Sequence, residues 1–377
     1  MHLHASAQSI QTRPMKILFI LPNVAVGGVE RVRLTLMQQF VADGIECLLA
    51  LRCCRGELIE EARAVVPVHE LAPGGMHQFL PALARLIRRE NPTHVVTAFS
   101  DVGLLTWIAL RMTRSPAKWI HSADNTHSSV AWRPGFWGML RSRAENHMAS
   151  LTYRRVDAIV AVSRGIRQEI LEWYRVPASR VTTIYNPVVA CSELLAMNRE
   201  RPAGRLVPRI VAVGRLVKQK GFDVLVRAMV DVPGKWRLDI WGEGPERSSL
   251  GNLICQCGLE TKVFLRGYTS TPFEIMRNAD IYVMASRHEG LGNTLIEALA
   301  CQCQVVATDC PHGPREILEG DKLGQLVPVD DPIALALAIT HAIEGAAYVD
   351  PKLLLDRAMH FSTTESCREW RTLLRSL

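Results

Sequence analysis

Short apolar runs alternate with longer amphipathic ones along the whole chain. Six runs read as strands in the first half: Lys16–Leu21, Ile45–Leu51, His94–Phe99, Lys118–His121, Ala158–Val162 and Val181–Tyr185. The pattern then restarts with Arg209–Val213, Arg237–Trp241, Val263–Arg266, Ile281–Ala285, Val305–Thr308 and Gln325–Val327. Runs this short and apolar, separated by helix-length segments, predict parallel sheets with crossover helices. Between the two series, Asn186 to Pro208 carries Pro187, Pro202, Gly204 and Pro208 with little periodicity, which is the composition of a linker. The expected fold class is therefore α/β, with two doubly wound domains and a cleft between them. Their expected bounds are 15–186 and 209–360, joined by 187–208. Residues 361–377, with Trp370, Leu373 and Leu374 at helical spacing, read as a closing helix. Met15-Lys16-Ile17 runs straight into the first strand, so residues 1–14 are expected to be a disordered extension.

Composition adds little to this picture, and charge adds more. Of 377 residues, 48% are hydrophobic and 21% charged, which is ordinary for a globular chain of about two domains. No apolar run approaches the roughly 20 residues of a membrane span, and residues 1–14 hold no apolar signal segment, so a cytoplasmic location is expected. The ten cysteines show no paired zinc-ribbon spacing and read as reduced thiols. The formal charge of +7 is uneven: residues 1–186 carry 22 Lys/Arg against 14 Asp/Glu, and the remainder 22 against 23. A basic first half calls for an anionic partner, either a membrane surface or nucleic acid. No nucleic-acid-binding motif is present, which disfavours the second.

Ligands of doubly wound sheets bind beyond the carboxyl ends of strands, so the strand-to-helix loops are where chemistry belongs. The first such loop carries Gly27 and Gly28 ahead of Glu30 and Arg31, and is either a phosphate- or acceptor-binding turn or a plain flexible loop. His121 stands at the end of a predicted strand, where an imidazole can donate a hydrogen bond or transfer a proton; a satisfied structural histidine is the alternative. Trp132, Arg133, Phe136, Trp137, Arg141 and Arg143, followed by Arg154 and Arg155, interleave aromatic and basic residues as a patch at a lipid headgroup boundary would. Core tryptophans with solvated arginines would read the same way.

In the second half, Gly214 and Arg215 follow a strand, and Lys220 lies five residues on; the guanidinium fork and the ammonium point charge suit a diphosphate. Gly242-Glu243-Gly244-Pro245 resembles a dinucleotide fingerprint only superficially, because Arg247 occupies the third glycine's place, and NAD is rejected. The densest stretch is Glu289-Gly290-Leu291-Gly292-Asn293-Thr294, with Glu297 placed inside the following helix. Glycines let backbone approach a bulky ligand, a helix start favours anions, and two carboxylates accept hydrogen bonds from diols. A nucleotide sugar fits that combination. An exposed capping Glu289 and a solvated Glu297 are the alternative.

Together these motifs resemble the retaining, nucleotide-sugar-dependent glycosyltransferases of family 4, which have the GT-B fold of two facing Rossmann-like domains. The likeness runs from Met15 onward and is strongest in 209–318, where Asn278-Ala279-Asp280, Ala307-Thr308-Asp309 and Cys310-Pro311-His312-Gly313-Pro314-Arg315-Glu316-Ile317-Leu318 join the motifs above. The last run looks like the subgroup that extends lipid-linked oligosaccharides. The resemblance implies that Arg215 and Lys220 neutralise the donor diphosphate in place of a metal, and no Asp-x-Asp triplet occurs. It assigns Glu289 to hydroxyls of the transferred sugar, Glu297 to the ribose, the backbone of Gly290 to Thr294 to the phosphates, and His121 to the reacting sugar. Gly27, Gly28 and Gly214 would contact the donor, and Gly267 and Tyr268 would lie by the nucleobase. It further implies a UDP-linked donor, a polyprenyl-diphosphate-linked saccharide acceptor, no cofactor and a peripheral place on the inner face of the cell membrane. A GT-B nucleotide-sugar 2-epimerase and a non-catalytic sugar-nucleotide-binding subunit are the competing readings; a glycan phosphorylase lacks a marked pyridoxal phosphate lysine. One departure stands out. Gln302 occupies a predicted helix end where the family often has glycine.

Overall fold

The computed structural model describes residues 13–25, 27–125, 136–190 and 207–377, with side chains described throughout except at 100–101 and 136–142. Seven strands form the first sheet: β1 (Lys16–Leu21), β2 (Glu46–Leu51), β3 (Val68–Glu70), β4 (His94–Thr97), β5 (Lys118–Ala123), β6 (Ala158–Ala161) and β7 (Val181–Thr183). Their order is β3-β2-β1-β4-β5-β6-β7. Helices α1 (Gly28–Ala42), α2 (Ile59–Val65), α3 (Met76–Glu90), α4 (Ser100–Thr113), α5 (Phe136–Tyr153) and α6 (Arg164–Tyr174) alternate with them. The second sheet has six strands: β8 (Arg209–Val213), β9 (Arg237–Trp241), β10 (Val263–Gly267), β11 (Ile281–Met284), β12 (Gln304–Thr308) and β13 (Gln325–Val327), ordered β10-β9-β8-β11-β12-β13. Its helices are α7 (Phe222–Ala228), α8 (Arg247–Gln256), α9 (Pro272–Arg277), α10 (Asn293–Ala300), α11 (Pro314–Ile317), α12 (Pro332–Glu344), α13 (Pro351–Met359) and α14 (Thr363–Ser376).

Parallel pairing explains the sequence pattern. β1 pairs with β2 and β4, and β11 with β8 and β12, all parallel. Strands covered on both faces need apolar residues at every position, which is why β1 reads Lys-Ile-Leu-Phe-Ile-Leu with Ile17 to Leu21 fully buried. All twelve predicted runs coincide with a strand to within two residues at either end. The thirteenth, β3, was not predicted: three half-exposed to exposed residues on a sheet edge leave no apolar signal. β4 stops at Thr97, short of the predicted Phe99, because Phe99 is already the N-cap of α4.

By packing, the chain divides into two compact units, one of residues 1–121 with 155–157 and the other of 122–154 with 158–377. In the first, Phe19 and Phe40 pack at 6.5 Å between ring centroids, and Phe79 and Leu83 of α3 are buried with them. In the second, one apolar cluster joins Ile210, Leu225, Leu238, Ile240, Val283 and Leu335. In that unit α14 starts at Ser362, whose Oγ caps the Glu365 amide, and Val189 bridges to Ser362. Among the described residues no helix is long and apolar enough to cross a membrane.

Helix α10 closes in a Schellman arrangement, with Gln302 N–H donating to the Leu299 carbonyl at 2.8 Å and Cys303 N–H to Ala298 at 3.0 Å. This geometry requires a left-handed residue, and Gln302 adopts φ +58°. A side chain there costs energy that glycine would not. Gln302→Gly is therefore expected to stabilise the chain by about 1 kcal/mol, read as a higher urea midpoint.

Candidate functional site

The loops after β8 and β11 are laced together in the second unit. The 3₁₀ turn Lys218–Lys220 ends at Gly221, with φ +61°, where a methyl group would fall 1.9 Å from the Ala285 carbonyl oxygen. Only glycine lets this turn rest on the end of β11. Arg287 N–H then donates to the Gln219 carbonyl at 2.7 Å, and Gln219 Nε2 to the His288 carbonyl at 2.9 Å. The Arg287 guanidinium spans Asp223 at 2.8 Å and Asp330 at 2.7 Å, and those carboxylates raise its pKa despite partial burial. Two acids 64 and 43 residues away in the chain make Arg287 a framework cation, a role that its sequence neighbours do not reveal.

This frame brings Lys220 and Glu289 together. Lys220 Nζ lies 2.6 Å from Glu289 Oε1, and Ser286 Oγ donates to the same oxygen at 2.6 Å. Glu289 is only 7% exposed, so it is not an exposed cap. Oε2 is the carboxylate oxygen outside these two bonds. The Lys220 stem passes Gly214, where a methyl group would sit 3.4 Å from Cδ and Cε. Arg215 is exposed on the same loop. Cys310, buried near this carboxylate, has its thiol pushed up to about 12 by desolvation with Glu289 adding, so it stays protonated.

Beyond Glu289 the backbone turns into α10. A methyl group at Gly290 would lie 2.0 Å from the Asp124 carbonyl oxygen, and Leu291 is buried. Gly292, at φ +96°, precedes Asn293, and Asn293 Oδ1 accepts from Asn186 Nδ2 at 3.0 Å. Thr294 Oγ1 accepts from the buried Tyr282 hydroxyl at 2.7 Å. The first amides of a helix have no acceptor within it, so this end of α10 is suited to an anion. Glu297 sits one turn further along.

Gly242 and Gly244 serve packing. Methyl groups there would fall 1.9 Å from the Gly214 carbonyl oxygen and 2.4 Å from that of Leu216, so these glycines seat one loop upon another, a use unrelated to NAD. Gly242 N–H also donates to the Gly267 carbonyl at 2.7 Å, and Tyr268 beside it is 48% exposed.

In the first unit, Gly27 is the N-cap of α1 and Gly28 its first residue. His121 lies inside β5, which continues to Ala123, two residues past the predicted end. It is 2% exposed, and its Nδ1 is 2.9 Å from Thr97 Oγ1, which accepts from Trp119 Nε1 at 3.0 Å. The hydroxyl proton of Thr97 can thus point at Nδ1, which favours the tautomer with its N–H on Nε2. Burial, with Arg33 adding, lowers the imidazole pKa to about 3. Of the aromatic and basic patch, Trp132 and Arg133 lie outside the described residues, as do the side chains of Phe136, Trp137 and Arg141. Arg143 is exposed, and Arg155 stacks over the Trp107 ring at 4.5 Å.

With that geometry in place, comparison with known proteins gives a consistent class. Residues 26–190 match the family model described as Glycosyltransferase Family 4, and residues 207–345 that described as Glycosyl transferases group 1. The fold is GT-B. A glycosyltransferase structure from Rickettsia africae superposes with a TM-score of 0.80 at 20% identity, covering 97% of this chain and 99% of its own. Anabaena Alr3699/HepE, solved with UDP and glucose, gives 0.80 at 18% identity, covering 96% and 100%.

Among curated relatives, an N-acetylgalactosamine-N,N'-diacetylbacillosaminyl-diphospho-undecaprenol 4-alpha-N-acetylgalactosaminyltransferase of Campylobacter jejuni is 33% identical, over 62% of this chain and 63% of its own length. The lipopolysaccharide core biosynthesis glycosyltransferase LpsE of Rhizobium meliloti is 30% identical over 56% and 61%. The chain spans about three fifths of the length of these two curated relatives.

The buried His121 makes a prediction about stability. Its folded pKa lies below the unfolded value, so its contribution is complete above about pH 6.5 and is lost as pH falls toward 3, at up to ~1.4 kcal/mol per pH unit. Urea midpoints measured from pH 7 to 5 are expected to fall less steeply in His121→Gln than in the native chain.

Proposed function

We propose that the chain is a retaining glycosyltransferase that moves a sugar from a UDP-linked donor to a lipid-linked saccharide in the biosynthesis of surface polysaccharide or glycan precursors. The observation that carries this reading is the pairing of the half-buried Lys220 with the buried Glu289 at the mouth of the loop that opens into α10. Lys220 and Arg215 would neutralise the departing diphosphate, and the amides from Gly290 to Thr294 would hold its oxygens. Since Lys220 and Ser286 both occupy Oε1 of Glu289, Oε2 is the oxygen left to accept from a sugar hydroxyl. Glu297 would take the ribose hydroxyls, and Gly267 and Tyr268 would flank the nucleobase. Departing phosphate accepts the acceptor's proton on the face from which it leaves, so no protein nucleophile is required. The protonated Cys310 thiol is consistent with that. His121 would act as a neutral hydrogen-bond donor to the reacting sugar through Nε2, and Gly27 and Gly28 would contact donor or acceptor. No metal or cofactor is needed, because the two cations supply the charge.

The UDP assignment draws support from Alr3699/HepE, which was solved with UDP, and the lipid-linked acceptor from the relative named for a diphospho-undecaprenol substrate. A polyprenyl diphosphate acceptor would place the protein peripherally on the inner membrane face, with the exposed Arg143 and Arg154 toward anionic headgroups.

Glu297→Ala and Lys220→Gln are each expected to reduce sugar transfer by at least a hundredfold; Lys220→Gln also leaves the Glu289 carboxylate without its counter-charge, so its melting temperature is expected to fall, and turnover is compared at a temperature where both variants are folded. Glutamine at 220 removes the charge while keeping a polar side chain of nearly the same length. Near-native turnover by both variants, measured as UDP release with a lipid-linked acceptor, would remove the assignment. For the membrane, co-sedimentation with vesicles rich in anionic lipid is expected to weaken when Arg141, Arg143 and Arg154 are each replaced by Glu, and unchanged binding would exclude the headgroup contact.

A further inference from the structure

Helix α6 carries Gly165 and Glu169 one turn apart, hence on one face. The His312 imidazole lies across that face. Its Nε2 is 2.5 Å from Glu169 Oε2, and a methyl group on Gly165 would come within 2.3 Å of its Nδ1. Glu169 is 9% exposed and the His312 side chain 19%, so the contact is largely shielded from water. Residue 312 itself is left-handed, at φ +63°, a conformation that costs a histidine more than it would a glycine. Something must hold it there, and the seat on α6 does.

The same short loop carries the donor loop on its other side. Pro311 accepts from the Glu289 amide at 3.4 Å. Gly313, at φ +83°, lies so close to Leu291 that a methyl group would fall 1.9 Å from the Leu291 carbonyl oxygen. Residues 311–313 thus meet Glu289 and Leu291 through backbone groups, and His312 links them by its side chain to α6; one turn on, Glu316 accepts from the Arg164 amide at the start of α6 at 2.9 Å, a second link that lies outside this short loop.

We propose that Glu169 and His312 form a positioning pair, seated on Gly165, that holds residues 289–292 in the conformation needed to bind nucleotide. Neither residue touches the donor in this scheme; both act through Pro311 and Gly313. The proposal rests on the donor-site reading of residues 289–294.

The full chain can be compared with His312→Ala, Glu169→Ala, the double variant and His312→Gln, first by amide hydrogen exchange without ligand and then by calorimetric titration with UDP. Exchange in 287–294 is expected to quicken about tenfold in either single variant, with no further change in the double, while β8, β11 and β12 keep their protection. His312→Gln, which can still donate to Glu169, should restore most of it. The dissociation constant for UDP should rise about tenfold in the alanine variants and return toward native in His312→Gln. Unchanged exchange at 287–294 in a folded His312→Ala, additive effects in the double variant, or equal loss of protection across the strands would overturn the proposal. UDP bound equally by native chain and His312→Ala would overturn it while leaving the donor site standing. Absence of UDP binding by the native chain, with the expected exchange pattern, would retain the positioning pair and remove the donor reading.

Discussion

Everything at the candidate site depends on keeping an ammonium and a carboxylate 2.6 Å apart, largely out of water, on two loops 69 residues apart in the chain. Burying one of these charges without the other would cost several kcal/mol. The chain meets that constraint with a rigid surround: Ser286 on the carboxylate, the Gln219–Arg287 backbone bond between the loops, and Arg287 locked between Asp223 and Asp330. In the proposed role, an ammonium fixed in this way is already in position, beside the loop that opens into α10, before any ligand arrives. Preorganised charge is what stabilises a leaving diphosphate, because no reorganisation is then needed during the reaction.

A second constraint is distance of approach. Gly221, Gly242, Gly290 and Gly313 each bring a Cα so near a backbone carbonyl that a methyl group would lie within about 2 Å of its oxygen. The candidate site is therefore a stack of loops in backbone contact, in which one loop cannot shift without moving the next. That contact makes distant groups such as Glu169 and His312 relevant to the loop that carries Glu289. It also separates two uses of glycine that look alike in one dimension: Gly242 and Gly244 resemble a nucleotide fingerprint, but their partners are the carbonyls of Gly214 and Leu216.

Sheet layout and chemistry divide along the same line in the other unit. His121 sits on a buried strand, held by Thr97 and Trp119, with burial and Arg33 keeping it neutral. A neutral imidazole can donate one hydrogen bond without adding charge. The same burial accounts for a histidine that is structurally satisfied, which its sequence context had equally allowed.

The amino-acid sequence by itself determined the α/β class, because strands covered on both faces must be apolar at every position and so stand out as short runs between amphipathic helices. It marked the loop from Glu289 to Thr294 as a candidate site for a related reason: glycines and acids that end an apolar run have few structural uses. It even marked Gln302, whose left-handed backbone follows from a helix that must stop where glycine is missing. Tertiary structure alone decided the pairings. That Lys220 meets Glu289, that Arg287 belongs to Asp223 and Asp330, and that His312 rests on Gly165 and Glu169 all depend on how separate loops and helices pack. Edge strand β3 was invisible for the converse reason, since a half-exposed strand of three residues owes its existence to its neighbour β2. Local pattern records what each segment must bury, whereas partners far apart in the chain are chosen by the packing that brings them together.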